Sequence, residues 1–183
     1  MMTIPKKRMF WWAFIIACIL MVPLIAMRFT NEVNWDISDF IIMATVLFGI
    51  AIAYELIAQK SNKKAYRIAF GLALLGAFLL FWVNGAVGII GNEGQDANLL
   101  YGAVFVVGFV GAIISRFKAK GMSITLYVAA LTQMLVPTIA LFIWPPSEVS
   151  WAPSVVGVFI LSGFFALLFY VSGMLFSRAA LEL

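Results

Sequence analysis

Two carboxamides interrupt long apolar runs in this chain: Asn84, in FWVNGAVGIIG, and Gln133, in ALTQMLVP. A carboxamide both donates and accepts hydrogen bonds, and lipid offers partners for neither. Gln133 stands beside Thr132, and Pro137, four residues on, has no N–H to return to the Gln133 carbonyl. A kink and a cluster of unmet hydrogen bonds are expected there. Asn84, Gln133 and Thr132 therefore outline a polar point inside the membrane, suited to a small ion or small solute or to an interhelical hydrogen bond. Four carboxylates, Asp36, Asp39, Glu93 and Asp96, would form an acidic outer face that draws cations toward it. The packing alternative is the stronger expectation for Asn84. It is followed by Gly85, Gly88 and Gly91 at three-residue intervals, a slowly drifting helical stripe that lets a neighbouring backbone approach.

The ionisable residues near the apolar runs read as structural. Ser38 and Asp39 open a run and suit a helix N-terminus, where a carboxylate complements the dipole. Glu55 lies five residues before Lys60, and a Glu55–Arg67 pair across the following turn would neutralise both charges. Asp39 and Glu55 are 16 residues apart, about 24 Å and about 160° of rotation on a helix, so they cannot share a site on it.

Much catalytic chemistry is excluded by what the chain lacks. It has no histidine, which removes bis-histidine haem ligation, histidine-based zinc hydrolysis and a serine–histidine protease. A single cysteine removes a dithiol relay, and no lysine inside a run could form a retinal Schiff base. No glycine-rich phosphate-binding pattern precedes a helix. The NEGQDAN stretch, residues 92–98, is rich in oxygen but does not match the calcium-loop pattern. No cofactor and no catalytic residue is expected.

The elements that must carry these residues follow from composition. Of 183 residues, 64% are hydrophobic and 11% charged, with a mean hydropathy of +1.08. A water-soluble domain has roughly a quarter of its residues charged, so lipid is the better solvent for this surface. Six apolar runs fall at about 9–27, 39–58, 67–90, 99–115, 122–144 and 154–176, each of a length to cross the bilayer as a helix. No run alternates in polarity as a membrane β-barrel requires. The expected fold is an all-α membrane protein, a six-transmembrane-helix bundle formed by one polytopic domain over residues 1–183.

Charge gives the orientation. Eleven of the twelve basic residues fall in the N-terminal arm, the second and fourth loops and the tail, on one side of an alternating path. The other side holds Arg28 with Glu32, Asp36, Asp39, Glu93, Asp96 and Glu148. By the positive-inside rule both termini are cytoplasmic. Net charge +4 thus reads as orientation, not as nucleic-acid binding. Lys6-Lys7-Arg8 before an apolar run resembles a signal peptide, yet the run continues nine residues past Cys18 without a small-residue cleavage site, so it reads as a retained span. Cys18 is then a packing residue. Trp11, Trp12 and Tyr66 are expected at the cytoplasmic boundary, and Trp35, Tyr101, Trp144 and Trp151 at the outer one.

Small residues, among them Gly76, Gly108, Gly111, Gly163 and Gly173, mark faces where helices could pack closely in lipid. No internal repeat is supported, since Pro23 and Pro137 do not occupy corresponding spans. The segments VNWDISDF, AYELIAQKS…AYR and AVGIIGNEG…ANLLY resemble small polytopic proteins of the bacterial inner membrane that carry no assigned activity. The resemblance implies that membrane and transfers no functional residue. The function expected is non-enzymatic membrane assembly, with the chain itself, another membrane protein and the lipid bilayer as partners. A small-ion or small-solute channel or transporter is the alternative.

Overall fold

In the computed structural model, the structure describes residues 6–30, 33–58 and 60–181; Glu32 lies outside them. Among the described residues the regular structure is entirely helical. The helices are α1 (Lys6–Phe29), α2 (Ile37–Ala58), α3 (Lys64–Ala86), α4 (Gly102–Ile114), α5 (Ala119–Ile143) and α6 (Val155–Leu181). A 3-10 turn, Asp96–Tyr101, leads directly into α4. With that turn included, six helical segments are long and apolar enough to cross a membrane, which is compatible with a multi-pass membrane protein. α5, at 25 residues, extends about 37 Å, more than the roughly 30 Å of a hydrocarbon core.

The helix ends differ from the sequence expectation at one informative place. The third run continues to residue 90, but α3 stops at Ala86. Gly88 and Gly91 have φ of 72° and 74°, the left-handed region that glycine enters without penalty. They are turn residues, so the stripe expected from Asn84 through Gly91 does not exist as a helical surface. Only Asn84 and Gly85 of that set are helical.

The contacts divide the chain into two compact units, Met1–Lys60 and Ser61–Leu183. The first contains α1 and α2. Among the described residues of α1 only Ile16 is buried, while Phe10, Phe14, Val22 and Leu24 stand more than half exposed. Cys18 is exposed as well, contrary to its expected packing role, because so little of α1 is covered. α2 buries Met43, Leu47, Ala51 and Glu55, one residue every fourth position along a single face.

The second unit is better packed. α6 lies against both α3 and α5, and α5 also lies against α4. Close approach depends on small residues at particular points. A Cβ at Gly173 would stand 2.9 Å from the Tyr127 ring, and one at Gly111 would stand 2.5 Å from Thr125. Polar side chains then tie helices together. Ser172 donates to the Ala69 carbonyl at 2.7 Å, Ser123 and Ser177 share a hydrogen bond of 2.6 Å, and Tyr66 donates to the Phe117 carbonyl at 2.7 Å. Such bonds inside a membrane protein contribute about 0.6–2 kcal/mol each.

Three of the expected boundary aromatics are covered by the protein itself in the same unit. Tyr66, Tyr101 and Trp151, expected at a membrane boundary, are buried. Each hydrogen-bonds within the protein: Tyr66 to Phe117, Tyr101 to Ser162, and the Trp151 indole to the Trp144 carbonyl at 2.8 Å. A buried ring with a polar tip needs such a partner, and these three have one.

Candidate functional site

The end of the second unit that carries the 87–95 loop is built around Asn98. This residue is buried, and its side chain uses both halves of the amide. Its Oδ1 accepts from the Ile89 and Ile90 backbone N–H groups at 3.0 and 2.9 Å. Its Nδ2 donates to the Ile90 and Asn92 carbonyls at 3.0 and 2.7 Å. The left-handed glycines at 88 and 91 turn the backbone so that these groups point at one side chain. Ile89, Ile90, Ala97 and Tyr101 are buried with it. The loop therefore folds into the protein, which non-helical backbone in a membrane protein must do to satisfy its polar groups. A Cβ at Gly91 would stand 2.6 Å from the Ser150 carbonyl, so the α5–α6 connection passes directly over this turn.

Asn84 joins the same assembly. Its Nδ2 donates to the Asn98 carbonyl at 3.1 Å, while its Oδ1 is buried without a hydrogen-bond partner. Further along the unit, the Tyr101 hydroxyl and Ser162 Oγ lie 2.7 Å apart, both fully buried. Gln133 is also fully buried, and neither its Nε2 nor its Oε1 has a partner. Thr132 is placed differently. It is partly exposed, and its hydroxyl returns to the Val128 carbonyl one turn back at 2.9 Å. Gln133 thus belongs to the interior, Asn84 is partly exposed with its Oδ1 buried, and the Thr132 hydroxyl is bonded within its own helix.

The expected acidic residues divide between the two units. In the first, Asp36 and Asp39 cap α2 reciprocally. Asp36 Oδ1 accepts from the Asp39 N–H at 3.0 Å and from the Ser38 hydroxyl, while Asp39 Oδ2 accepts from the Asp36 N–H at 2.9 Å. Asp36 is the cap and Asp39 the returning partner, a capping box moved two residues toward the N-terminus from the Ser38–Asp39 cap that the sequence suggests. The Ser38 hydroxyl and then the Asp39 N–H hold the Asp36 carboxyl below its ordinary value of 3.8. Glu55 is 5% exposed and accepts from Arg8 Nη1 and from the Trp12 indole, both at 3.0 Å. These are partners from α1. In the second unit, Arg67 Nε donates to the Ser61 carbonyl at 3.1 Å. Glu93 and Asp96 are exposed beside the Asn98 turn. Among the described residues no three His, Cys, Asp or Glu side chains gather as a metal site would require.

Sequence reasoning missed Asn98, Tyr101, Ser162 and Arg8. Asn98 had a usable signal: an amide at the start of an apolar run, seven residues after a glycine that itself follows another glycine by three. Such a pair fits a turn at least as well as a helical stripe. Tyr101 and Ser162 had none, since their meeting depends on how the second unit packs. Compared with known proteins, the chain matches no family model, no curated protein and no solved structure.

Proposed function

We propose that the chain is a multi-pass protein of a bacterial cytoplasmic membrane, with both termini on the cytoplasmic side. It acts by assembling with itself or with another membrane protein, not by catalysis. The observation that carries this reading is a contrast within one molecule. The polar side chains of the second unit are mostly committed to structural bonds, as in Ser172–Ala69, Ser123–Ser177 and the Asn98 network. The first unit instead offers long apolar helices with hardly any covered surface, and its one buried carboxylate is held by Arg8 and Trp12. A hairpin of that kind suits packing against lipid and other membrane helices. The basic loops support the orientation. A small-ion or small-solute pathway draws on Gln133 and on the Asn84 Oδ1, because Asn84 Nδ2 is bonded to Asn98 and the Thr132 hydroxyl to Val128.

The test is to place a photo-cross-linking residue at Phe14 or Val22, which face outward on α1. Native mass spectrometry of the protein released from membranes in mild detergent then gives the composition of the particle. A defined adduct with a second copy or with one other membrane protein, matched by the same stoichiometry in the spectrometer, supports assembly. A monomer carrying lipid adducts only overturns it.

A further inference from the structure

Gln133 is the strongest unexplained group in the molecule. A buried amide without partners costs about 1–3 kcal/mol for each unmet group, so a chain that keeps one in its interior needs a compensating contact. Three polar groups converge at this point: the side-chain N–H2, the side-chain carbonyl and the backbone carbonyl that Pro137 leaves without its helical donor.

The helix register shows what surrounds it. Ser123 meets Ser177, and Gly173 meets Tyr127, so α5 and α6 run antiparallel and the same count brings Gln133 level with Leu167, next to Ala166. Gly111 meets Thr125, and the corresponding count along α4 brings Gln133 level with Ala103, two residues from Tyr101. The buried Tyr101–Ser162 pair therefore lies about one helical turn from the Gln133 amide. The buried positions near it on the two helices include Ala129, Ala130 and Ala166, with Val136 and Phe165 beside them. The alanines offer the amide no side-chain hydrogen bond, and the Tyr101 and Ser162 hydroxyls are the buried polar pair of the facing elements at this level. These faces carry no carboxylate and no cation, so the site suits a neutral guest.

We infer that Gln133, with the Tyr101–Ser162 pair, forms an interior binding site for a small neutral molecule that both donates and accepts hydrogen bonds. Water and urea share that chemistry. The site is enclosed in the second unit beneath the Asn98-held turn, so it retains a guest whether or not the protein assembles with a partner.

The experiment is solid-state NMR on the whole protein in liposomes, with 15N in the glutamine side chains and the alanine backbone amides. The sequence has three glutamines, at 59, 95 and 133, and Gln95 lies between α3 and α4. Gln59→Glu and Gln95→Glu remove their signals, leaving Gln133 assigned. One arm transfers magnetisation from water protons; the other transfers it from 13C-urea added to the same liposomes. A Gln133 Nε2 signal from water, at a mixing time when the Ala129 and Ala130 backbone amides are still silent, identifies water as the guest. A signal from 13C identifies urea-like solutes. If Gln133 remains silent in both arms at times when the Ala129 and Ala130 amides respond, the amide is dry and the inference is overturned.

Discussion

One asparagine holds the turn after α3 in place, and its removal has a definite cost. Asn98→Leu would leave the Ile89 and Ile90 N–H groups and the Ile90 and Asn92 carbonyls without their side-chain partner. In a buried turn the expected loss is about 3 kcal/mol or more, read as a fall in the unfolding midpoint in detergent. The neighbouring glycines separate two explanations of the same sequence. A methyl at Gly88 would sit 2.4 Å from the Asn92 backbone at a φ of 72°, so Gly88→Ala should cost at least about 2 kcal/mol. Gly85 is helical and a Cβ there meets nothing within 4 Å, so Gly85→Ala should be neutral or stabilising by up to about 1 kcal/mol. Equal damage at both positions would restore the helical stripe and contradict the turn. The sequence made these glycines conspicuous but not interpretable. Spacing by three fits a helix face and a turn alike, and what decides between them is a hydrogen-bonding partner several residues downstream.

At the scale of the element, helix ends and helix contacts make different demands. The start of α2 depends on Asp36 being charged. Its carboxyl titrates below 3.8 because the Ser38 hydroxyl and the Asp39 N–H bind the anion. A depressed folded value means that the contribution is present above the ordinary aspartate range and is lost as pH falls through the folded value. Carbon NMR of the Asp36 carboxyl should give a midpoint under 3.8, and Ser38→Ala should raise it. An unshifted midpoint in both proteins would remove the capping box. At helix contacts, glycine is required only where another side chain has already taken the space. Gly173→Ala would drive a methyl to 2.9 Å from the Tyr127 ring and 3.3 Å from the Ser123 carbonyl, whereas a Cβ at Gly108 meets nothing within 4 Å. We expect Gly173→Ala to lower stability by about 1–3 kcal/mol and Gly108→Ala to leave it within about 1 kcal/mol, measured by the same unfolding midpoint. The positions of the six apolar helices were legible in the sequence, since length and hydropathy determine them. Which of the small residues face a neighbour was not, because in lipid the outward and inward faces of a helix are equally apolar.

Across the whole molecule the quantity that binds the reading together is the asymmetry of charge between loops. Lys60, Lys63, Lys64 and Arg67 cluster between α2 and α3, while Glu93 and Asp96 occupy the turn after α3, at the other end of that helix. α3 has 23 residues, about 34 Å of helix, enough to separate the two loops by a hydrocarbon layer. If the basic loops stay in the cytoplasm, Lys63 and Glu93 must lie in different compartments. Replacing Cys18 with serine gives a background free of native thiols, into which Lys63→Cys and Glu93→Cys are introduced one at a time. Glu93 is exposed on its turn, so the new thiol should react with a membrane-impermeant maleimide in intact spheroplasts. The thiol at position 63 should react only once the membrane is opened. The reverse pattern would invert the orientation but keep the crossing. Labelling of both positions from the same side would mean that α3 does not cross the membrane, and the proposal of an alternating six-span path would fail with it.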